Sequence, residues 1–364
     1  MRPTVIVAGA SGLIGVTAVR HFAQDVGWRV IGLSRRPPAI EIPRAQHISL
    51  DMSDRAAIAA AMPALREATH LVHAAVEENP ADVEQGWTSR DQMQRNRDLL
   101  ANLVDALCEG APGLRHISVM HGQKAYGGWM DRDNAVTLCR EDLPRHDHAN
   151  FYWLQEDYLR ARQQGQHWHY TFWRPALVLG GDTVTGNLNA LLTLAAYAAL
   201  CRAADEPLDF PGAGRTSVVT AIDTDIIGEA LLWAADSPAA RGETFNLSNG
   251  DVFNYRDIWP VLGEAFGVSP GRDRSFTLEA EMARLAPVWA RVVAEQQLAA
   301  PADLIAFLGG SISLTDLCLA SDLREALSTV RLRKAGFAGC ASTVDVMRKW
   351  IGRYQELKLL PSFG

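Results

Sequence analysis

Thr4-Val5-Ile6-Val7-Ala8 runs directly into Gly9-Ala10-Ser11-Gly12-Leu13-Ile14-Gly15, and Val16 to Ala23 then carries a helical pattern. The first five residues are apolar and largely β-branched, as expected of a strand buried on both faces. Three glycines between a strand and a helix permit a tight turn, close backbone approach to a pyrophosphate, and close helix-to-strand packing. The N-terminus of the following helix offers unpaired N–H groups and partial positive charge to a phosphate. Gly9, Ser11, Gly12, Leu13, Ile14 and Gly15 are therefore the expected dinucleotide-binding turn.

Outward from this segment the chain alternates. Short apolar runs at Arg29-Val30-Ile31-Gly32-Leu33, His47-Ile48-Ser49-Leu50, Leu71-Val72-His73-Ala74-Ala75, Leu114 to Val119 and Tyr170 to Pro175 read as strands. Ala56 to Ala68, Gln92 to Cys108 and Tyr152 to Arg162 read as helices. Alternation at this spacing implies parallel crossovers. The expected class is α/β: a Rossmann-type doubly wound parallel sheet with a smaller, mainly helical C-terminal substrate lobe. Residues 1–180 form the expected dinucleotide-binding domain and residues 181–364 the substrate lobe, with 215–240 returning to the first. In the second part, Asn187 to Ala203 and Ile222 to Ala235 read as helices and Phe245-Asn246-Leu247 as a strand fragment.

Composition narrows the function. Of 364 residues, 48% are hydrophobic and 21% charged, enough apolar material for a sizeable core. The net charge of −7, from 35 basic and 42 acidic residues, carries no basic excess for a nucleic-acid partner. Five scattered cysteines without a Cys-x-x-Cys pair argue against zinc and against a disulfide framework. The most apolar stretch, Leu188 to Cys201, falls short of the ~20 residues that span a bilayer. The first residues enter a strand without a secretory pattern, so a soluble, cytoplasmic protein is expected. The pairs His146-x-His148 and His167-x-His169 lack ligand-spaced partners, and no metal site is assigned to them.

The end of the second strand selects among dinucleotides. Folds that bind NAD commonly place an acidic residue there for the ribose hydroxyls. This chain has Ser34-Arg35-Arg36, suited to a 2′-phosphate, so NADP(H) is the expected cofactor. Asp51, after the third strand, is a candidate for the adenine edge. Ser118, at the end of the central strand, is a candidate for the nicotinamide or the substrate, and Pro175 for a strand end beside the cofactor.

Extended short-chain dehydrogenases usually carry Tyr-x-x-x-Lys on one helix, where the lysine lowers the tyrosine pKa. Here Asn150-Phe151-Tyr152-Trp153-Leu154-Gln155-Glu156-Asp157 has Glu156 at the lysine position. A carboxylate there opposes formation of a tyrosinate.

That segment and Gly122-Gln123-Lys124-Ala125-Tyr126-Gly127 resemble the progesterone 5β-reductase/iridoid synthase family of extended, atypical short-chain dehydrogenases/reductases. Trp173-Arg174-Pro175, Phe245 to Phe253, Trp259 to Gly267 and Lys334-Ala335-Gly336-Phe337 are similar to it as well. The resemblance implies an enzyme that uses NADPH to reduce the C=C bond of an α,β-unsaturated carbonyl compound. It implies a catalytic lysine from the loop after a central strand, which falls on Lys124, and a catalytic tyrosine at Tyr152. Two departures alter the pocket lining: Trp153 stands for the second tyrosine of the family's pair, and Ala125 for the histidine after the lysine.

Three other readings share these observations: direct reduction of a carbonyl, a nucleotide-sugar epimerase or dehydratase, and an NADPH sensor without catalysis. Glu156 and the arginine pair count against the epimerase. Trp129, Trp153 and Trp289 are candidates for substrate contact, whereas Trp168, Trp173, Trp233, Trp259 and Trp350 read as core. An apolar helix pair on the dehydrogenase lobe would suit a homodimer.

Overall fold

A computed structural model describes residues 2–78, 88–182, 188–212, 216–320 and 322–363. Asn187 and Arg215, where two of the expected segments begin, lie outside the described residues.

Seven strands form one sheet: β1 Thr4–Ala8, β2 Arg29–Ser34, β3 Ala45–Ser49, β4 His70–His73, β5 His116–Met120, β6 His169–Pro175 and β7 Glu243–Leu247. Their spatial order is β7-β6-β5-β4-β1-β2-β3, and every neighbouring pair is parallel. This is the doubly wound order, with its reversal between β1 and β4. All five residues of β1 are buried, as the unbroken apolar run requires of a strand covered on both faces.

Among the described residues, four helices interleave with the first six strands: α1 Leu13–Gln24, α2 Arg55–Leu65, α3 Arg90–Gly110 and α4 Phe151–Gln163. Asp54 caps α2 by accepting from the N–H groups of Ala56 and Ala57, and Asn150 caps α4 by accepting from Tyr152 N–H at 3.2 Å. Such caps contribute about 1 kcal/mol each and set where the helix begins. The Asn150 cap therefore fixes Tyr152 in the first turn of its helix.

Beyond residue 180 the chain returns to the first domain from residue 221. Ile222 does not open a helix: Ala221–Asp223 is a short strand that pairs in parallel with Leu177–Leu179. Asp223 then caps helix α5, Thr224–Asp236, whose Ile226, Ile227, Ala230 and Leu231 bury against Val16-side residues such as Val19 and Phe22 of α1. The fragment at Phe245 extends to β7 and forms the sheet edge beside β6. The Asn249-Gly250-Asp251 run after β7 is a structural bolt. Asn249 Oδ1 accepts from Asp223 N–H at 2.7 Å, and the Asp251 carboxylate accepts from the N–H and hydroxyl of Thr343 at 2.8 and 2.6 Å.

The remaining long helices, Ala190–Ala203, Tyr255–Phe266, Leu278–Gln296, Ser311–Ala320 and Thr343–Glu356, share a separate core with Trp259, Trp289, Phe307 and Trp350. Ala190–Ala203 is buried on all sides for most of its length, which explains an apolar run without amphipathic character. No helix among the described residues is long and apolar enough to cross a membrane.

Candidate active site

A cavity of about 730 Å³ opens along the carboxyl ends of β1, β2 and β4 and reaches the helical lobe. Ligands of doubly wound sheets bind at this reversal of strand order. Gly9, Ser11, Gly12, Leu13 and Ile14 line it, as do Ser34, Arg35, Arg36, Asp51 and Pro175. Gly9 has φ +85°, and a Cβ there would lie 2.7 Å from the Ala75 nitrogen. A Cβ on Gly15 would overlap the Gly9 carbonyl oxygen, so that glycine serves helix-to-turn packing and does not line the cavity. Gly12 begins α1 without a side-chain cap, leaving the first-turn N–H groups to a ligand. A turn in which a Cβ at Gly9 or Gly15 would strike backbone, followed by a helix start without a side-chain cap, fits the pyrophosphate of a dinucleotide.

The adenosine end is built from the turn after β2. The Ser34 hydroxyl donates to the Arg36 carbonyl at 2.6 Å and lies 3.1 Å from His47 Nε2, which fixes the turn. Arg35 and Arg36 are exposed and carry their charge at the cavity rim. Asp51 accepts from the N–H and hydroxyl of Ser53 at 2.9 and 2.7 Å. These hydrogen bonds, with a smaller contribution from Arg35, hold its carboxyl below the usual range. Ser118, expected at the cofactor, is not in the cavity wall. It is the buried middle residue of β5, and its hydroxyl accepts from the Trp173 indole N–H at 3.2 Å. β5 runs two residues further, to Met120, so Ser118 lies inside the sheet and not at the strand's carboxyl end.

Lys124 and Tyr152 stand in the same cavity wall. Lys124 occupies a single 3-10 turn, Gln123–Tyr126, directly after β5. Its Nζ lies 5.1 Å from the centroid of the Tyr152 ring and 4.8 Å from that of Phe151. Both side chains are about nine-tenths buried. Burial lowers the lysine pKa from 10.5 to about 8, against a smaller opposing effect of Glu78. Burial pushes the phenol well above 10, with Glu78 adding to the rise and Arg174 opposing it. Tyr152 is thus a neutral hydroxyl donor beside an ammonium. Gly122 leaves it room: a Cβ there would stand 3.1 Å from the phenolic oxygen.

Glu156, one turn after Tyr152, is a counterion to arginines. Its carboxylate lies 3.2 Å from Arg174, 2.9 Å from Arg145 and 3.6 Å from Arg160. Three guanidiniums consume the charge that the sequence places against a tyrosinate, and the conflict expected from the helix alone does not arise. Arg174 in turn lies over the rings of Tyr126 and Trp153, 5.3 and 5.6 Å from their centroids.

Three residues of the site carry no sequence signal. His121 stacks on Tyr152 with ring centroids 4.5 Å apart and lines the cavity. Burial drives its pKa far down, and its Nε2 lies 3.2 Å from Gln155 Oε1. Gln155 donates onward to the Asn96 carbonyl at 2.8 Å, and the Asn96 side chain clasps the backbone of Glu77. Glu78, held by Gln92 Nε2 at 3.1 Å, enters the cavity from that loop. Glu325 enters from the far C-terminal part of the chain. Helical neighbours three or four apart were readable; partners more than fifty residues away were not.

Of the three tryptophans expected at the substrate, only Trp129 lines the cavity. Trp153 packs between Arg145 and Arg174, and Trp289 is fully buried, stacked on Phe307 and donating to the Pro301 carbonyl at 2.9 Å. Among the core tryptophans, Trp168, Trp173, Trp259 and Trp350 are buried.

Fold, glycine cradle and arginine-marked turn together define a nucleotide-dependent oxidoreductase of the short-chain type. The chain belongs to the NAD dependent epimerase/dehydratase family, whose family model matches residues 5–248. Over 98% of its length it is 30% identical to an (S)-8-oxocitronellyl enol synthase of Nepeta racemosa, covering 92% of that protein. It is 27% identical, again over 98% of its length and 92% of the relative's, to a 3-oxo-Delta(4,5)-steroid 5-beta-reductase of Arabidopsis thaliana. Its fold matches that of Thermus thermophilus UDP-glucose 4-epimerase in complex with NAD, at TM-score 0.67 and 16% identity, over 97% of this chain and 99% of that one. It is an NAD(P)-dependent enzyme.

Proposed function

We propose that this enzyme uses NADPH to reduce the C=C bond of an α,β-unsaturated ketone or aldehyde by 1,4-addition. The observation that carries the reading is the pairing of a buried ammonium, Lys124, with a buried neutral phenol, Tyr152, on one wall of the dinucleotide cavity. Bound NADPH supplies the hydride. The Tyr152 hydroxyl donates a hydrogen bond to the substrate carbonyl oxygen, where negative charge gathers as the β-carbon is reduced. The Lys124 ammonium raises the strength of that donor and adds its own positive potential. Both interactions are stronger with the enolate than with the neutral carbonyl, which is what accelerates the step. The enolate then takes a proton at the α-carbon, and the saturated carbonyl compound leaves. Arg35 and Arg36 favour NADPH by pairing with its 2′-phosphate. The names of the plant relatives, an enol synthase and a steroid 5-beta-reductase, support this chemistry.

The test is Tyr152→Phe and Lys124→Ala at saturating NADPH with 2-cyclohexen-1-one. Each loses about 10²- to 10³-fold in turnover, the usual effect of removing one preorganised donor. The product is cyclohexanone. Near wild-type turnover in both variants removes the pair from the chemistry, and 2-cyclohexen-1-ol as product assigns the enzyme to direct carbonyl reduction instead.

A further inference from the structure

The substrate end of the cavity is mostly apolar, with Trp129, Leu314, Leu317 and Val218 in its wall, and it contains a carboxyl group. Glu325 is 1% exposed. Its backbone is fixed on both sides: Glu325 N–H donates to the Val218 carbonyl at 2.9 Å, and Ala326 N–H to the Thr137 carbonyl at 2.8 Å. Oε2 accepts from Gln123 Nε2 at 2.9 Å. Oε1 lies against the Gly128 backbone, where any Cβ would overlap it. The Gly128 N–H helps to hold the charge, but no hydrogen bond of good geometry closes on Oε1 among the described residues. No basic side chain pairs with this carboxyl among the described residues, and burial raises its pKa.

A buried carboxyl without a counterion is costly, and cavities concentrate such groups where they orient a ligand. Its effect on Gln123 is directional. The amide NH₂ is committed to Glu325, so the amide oxygen of Gln123, a half-buried residue of the cavity wall, remains as an acceptor. Gln123 Oε1 is thus the acceptor of this polar spot beside the Lys124 turn, and Glu325, whose Oε1 is enclosed against Gly128, orients it. A hydroxyl suits it better than an ammonium. A hydroxyl donates to the Gln123 amide oxygen at little cost, whereas an ammonium there bears its own desolvation while the Glu325 carboxyl stays enclosed out of its reach.

We infer that the Gln123–Glu325 pair is a specificity-determining site for a hydroxyl group that the substrate carries away from its reacting carbonyl. This deepens the enone-reductase reading and rests on it: the preferred substrates are hydroxylated enones.

The experiment measures dissociation constants in the presence of NADP⁺, by quenching of tryptophan fluorescence. The ligands are (E)-3-nonen-2-one and its 5-, 7- and 9-hydroxy derivatives. The wild type binds at least one hydroxylated ligand on the order of 10- to 100-fold more tightly than the parent, the effect of one hydrogen bond to a charged or charge-oriented acceptor. Glu325→Leu abolishes that ratio and leaves parent binding intact. Glu325→Gln, which keeps the shape of the side chain, lowers the ratio part way and serves if the leucine variant does not fold. A wild-type ratio within twofold for every derivative overturns the inference. So does a ratio that survives in both variants, or a merely structural effect that weakens all four ligands equally. NADPH oxidation by the same compounds is followed separately. Discrimination in binding without turnover of any of them sinks the reductase reading and leaves the hydroxyl site standing.

Discussion

Lys124 is a lysine that folding works against, and Lys124→Met separates its cost from its chemistry. Burial lowers its pKa from 10.5 to about 8. At about 1.36 kcal/mol per tenfold change in proton affinity, the drop corresponds to roughly 3 kcal/mol. The sign follows from proton counts. Below pH 8 the lysine is protonated in both folded and unfolded chains, and the fold bears the whole desolvation cost. Between the folded value of about 8 and the unfolded value of 10.5, the unfolded chain holds a proton that the folded chain has released, so stability rises with pH. Above that window the cost is gone. Methionine, of similar length and without charge, never bears it. Urea unfolding of the wild type and the Lys124→Met variant at pH 7 and pH 10, followed by tryptophan fluorescence, measures the difference. All other titrating groups cancel in that comparison. The stability of the variant relative to the wild type falls by about 2.5 kcal/mol from pH 7 to pH 10, most of the full effect. The variant is meanwhile inactive towards 2-cyclohexen-1-one. An unchanged stability difference at the two pH values would falsify the claim that this ammonium is held without full solvation.

Three further outcomes follow from the same geometry. Arg35→Ser with Arg36→Ser raises KM for NADPH by about 10- to 100-fold and leaves KM for NADH nearly unchanged, as steady-state kinetics with the two cofactors will show; parallel changes would mean that the pair only shapes the turn. Gly15→Ala sets a Cβ onto the Gly9 carbonyl oxygen, so NADPH affinity measured by nicotinamide fluorescence falls sharply and the melting temperature drops. Glu156→Gln leaves the buried Arg174 guanidinium without its counterion and costs about 3–5 kcal/mol in urea unfolding at pH 7; a cost below about 1 kcal/mol would show that solvent or another group balances Arg174.

The parts of this protein legible in its sequence are those whose physics is local. A β-branched run, a glycine turn and an amphipathic helix state their conformations within some twenty residues, and β1, the Gly9 turn and α1 stand where the sequence puts them. The arginine turn after β2 was legible for the same reason. Strand Ala221–Asp223 was not: three residues carry no periodicity, and its pairing with Leu177–Leu179 depends on chain more than forty residues away. Ser118 shows the limit of reading a strand end: β5 runs on to Met120, which leaves Ser118 in mid-strand with its side chain in the core. Lys124 and Tyr152 entered through a family resemblance; on their own a loop lysine and a helix tyrosine carry little signal. His121, Glu78 and Glu325 are ordinary residues in sequence, and tertiary packing alone brings them to the cavity.

The position of Glu156 explains why the ammonium has to come from the loop. A lysine one turn after Tyr152 would enter a pocket already occupied by Arg174, Arg145 and Arg160, all within 3.6 Å of the present carboxylate. A fourth cation there would stand against three others, and the nearby Asp157 carboxylate is already paired with Arg145 at 2.7 Å. The carboxylate that satisfies the arginines therefore excludes the usual arrangement, and Arg174 cannot be dispensed with lightly, since it also packs over Tyr126 and Trp153. The turn after β5 offers the other route to the phenol. Gly122 lets that backbone pass close to Tyr152, and Lys124 follows two residues later, facing the ring from the cavity side. The arginines gathered on the buried Glu156 carboxylate and the lysine of the loop are two consequences of one distribution of charge: acid on the helix, and base on the loop in the cavity wall.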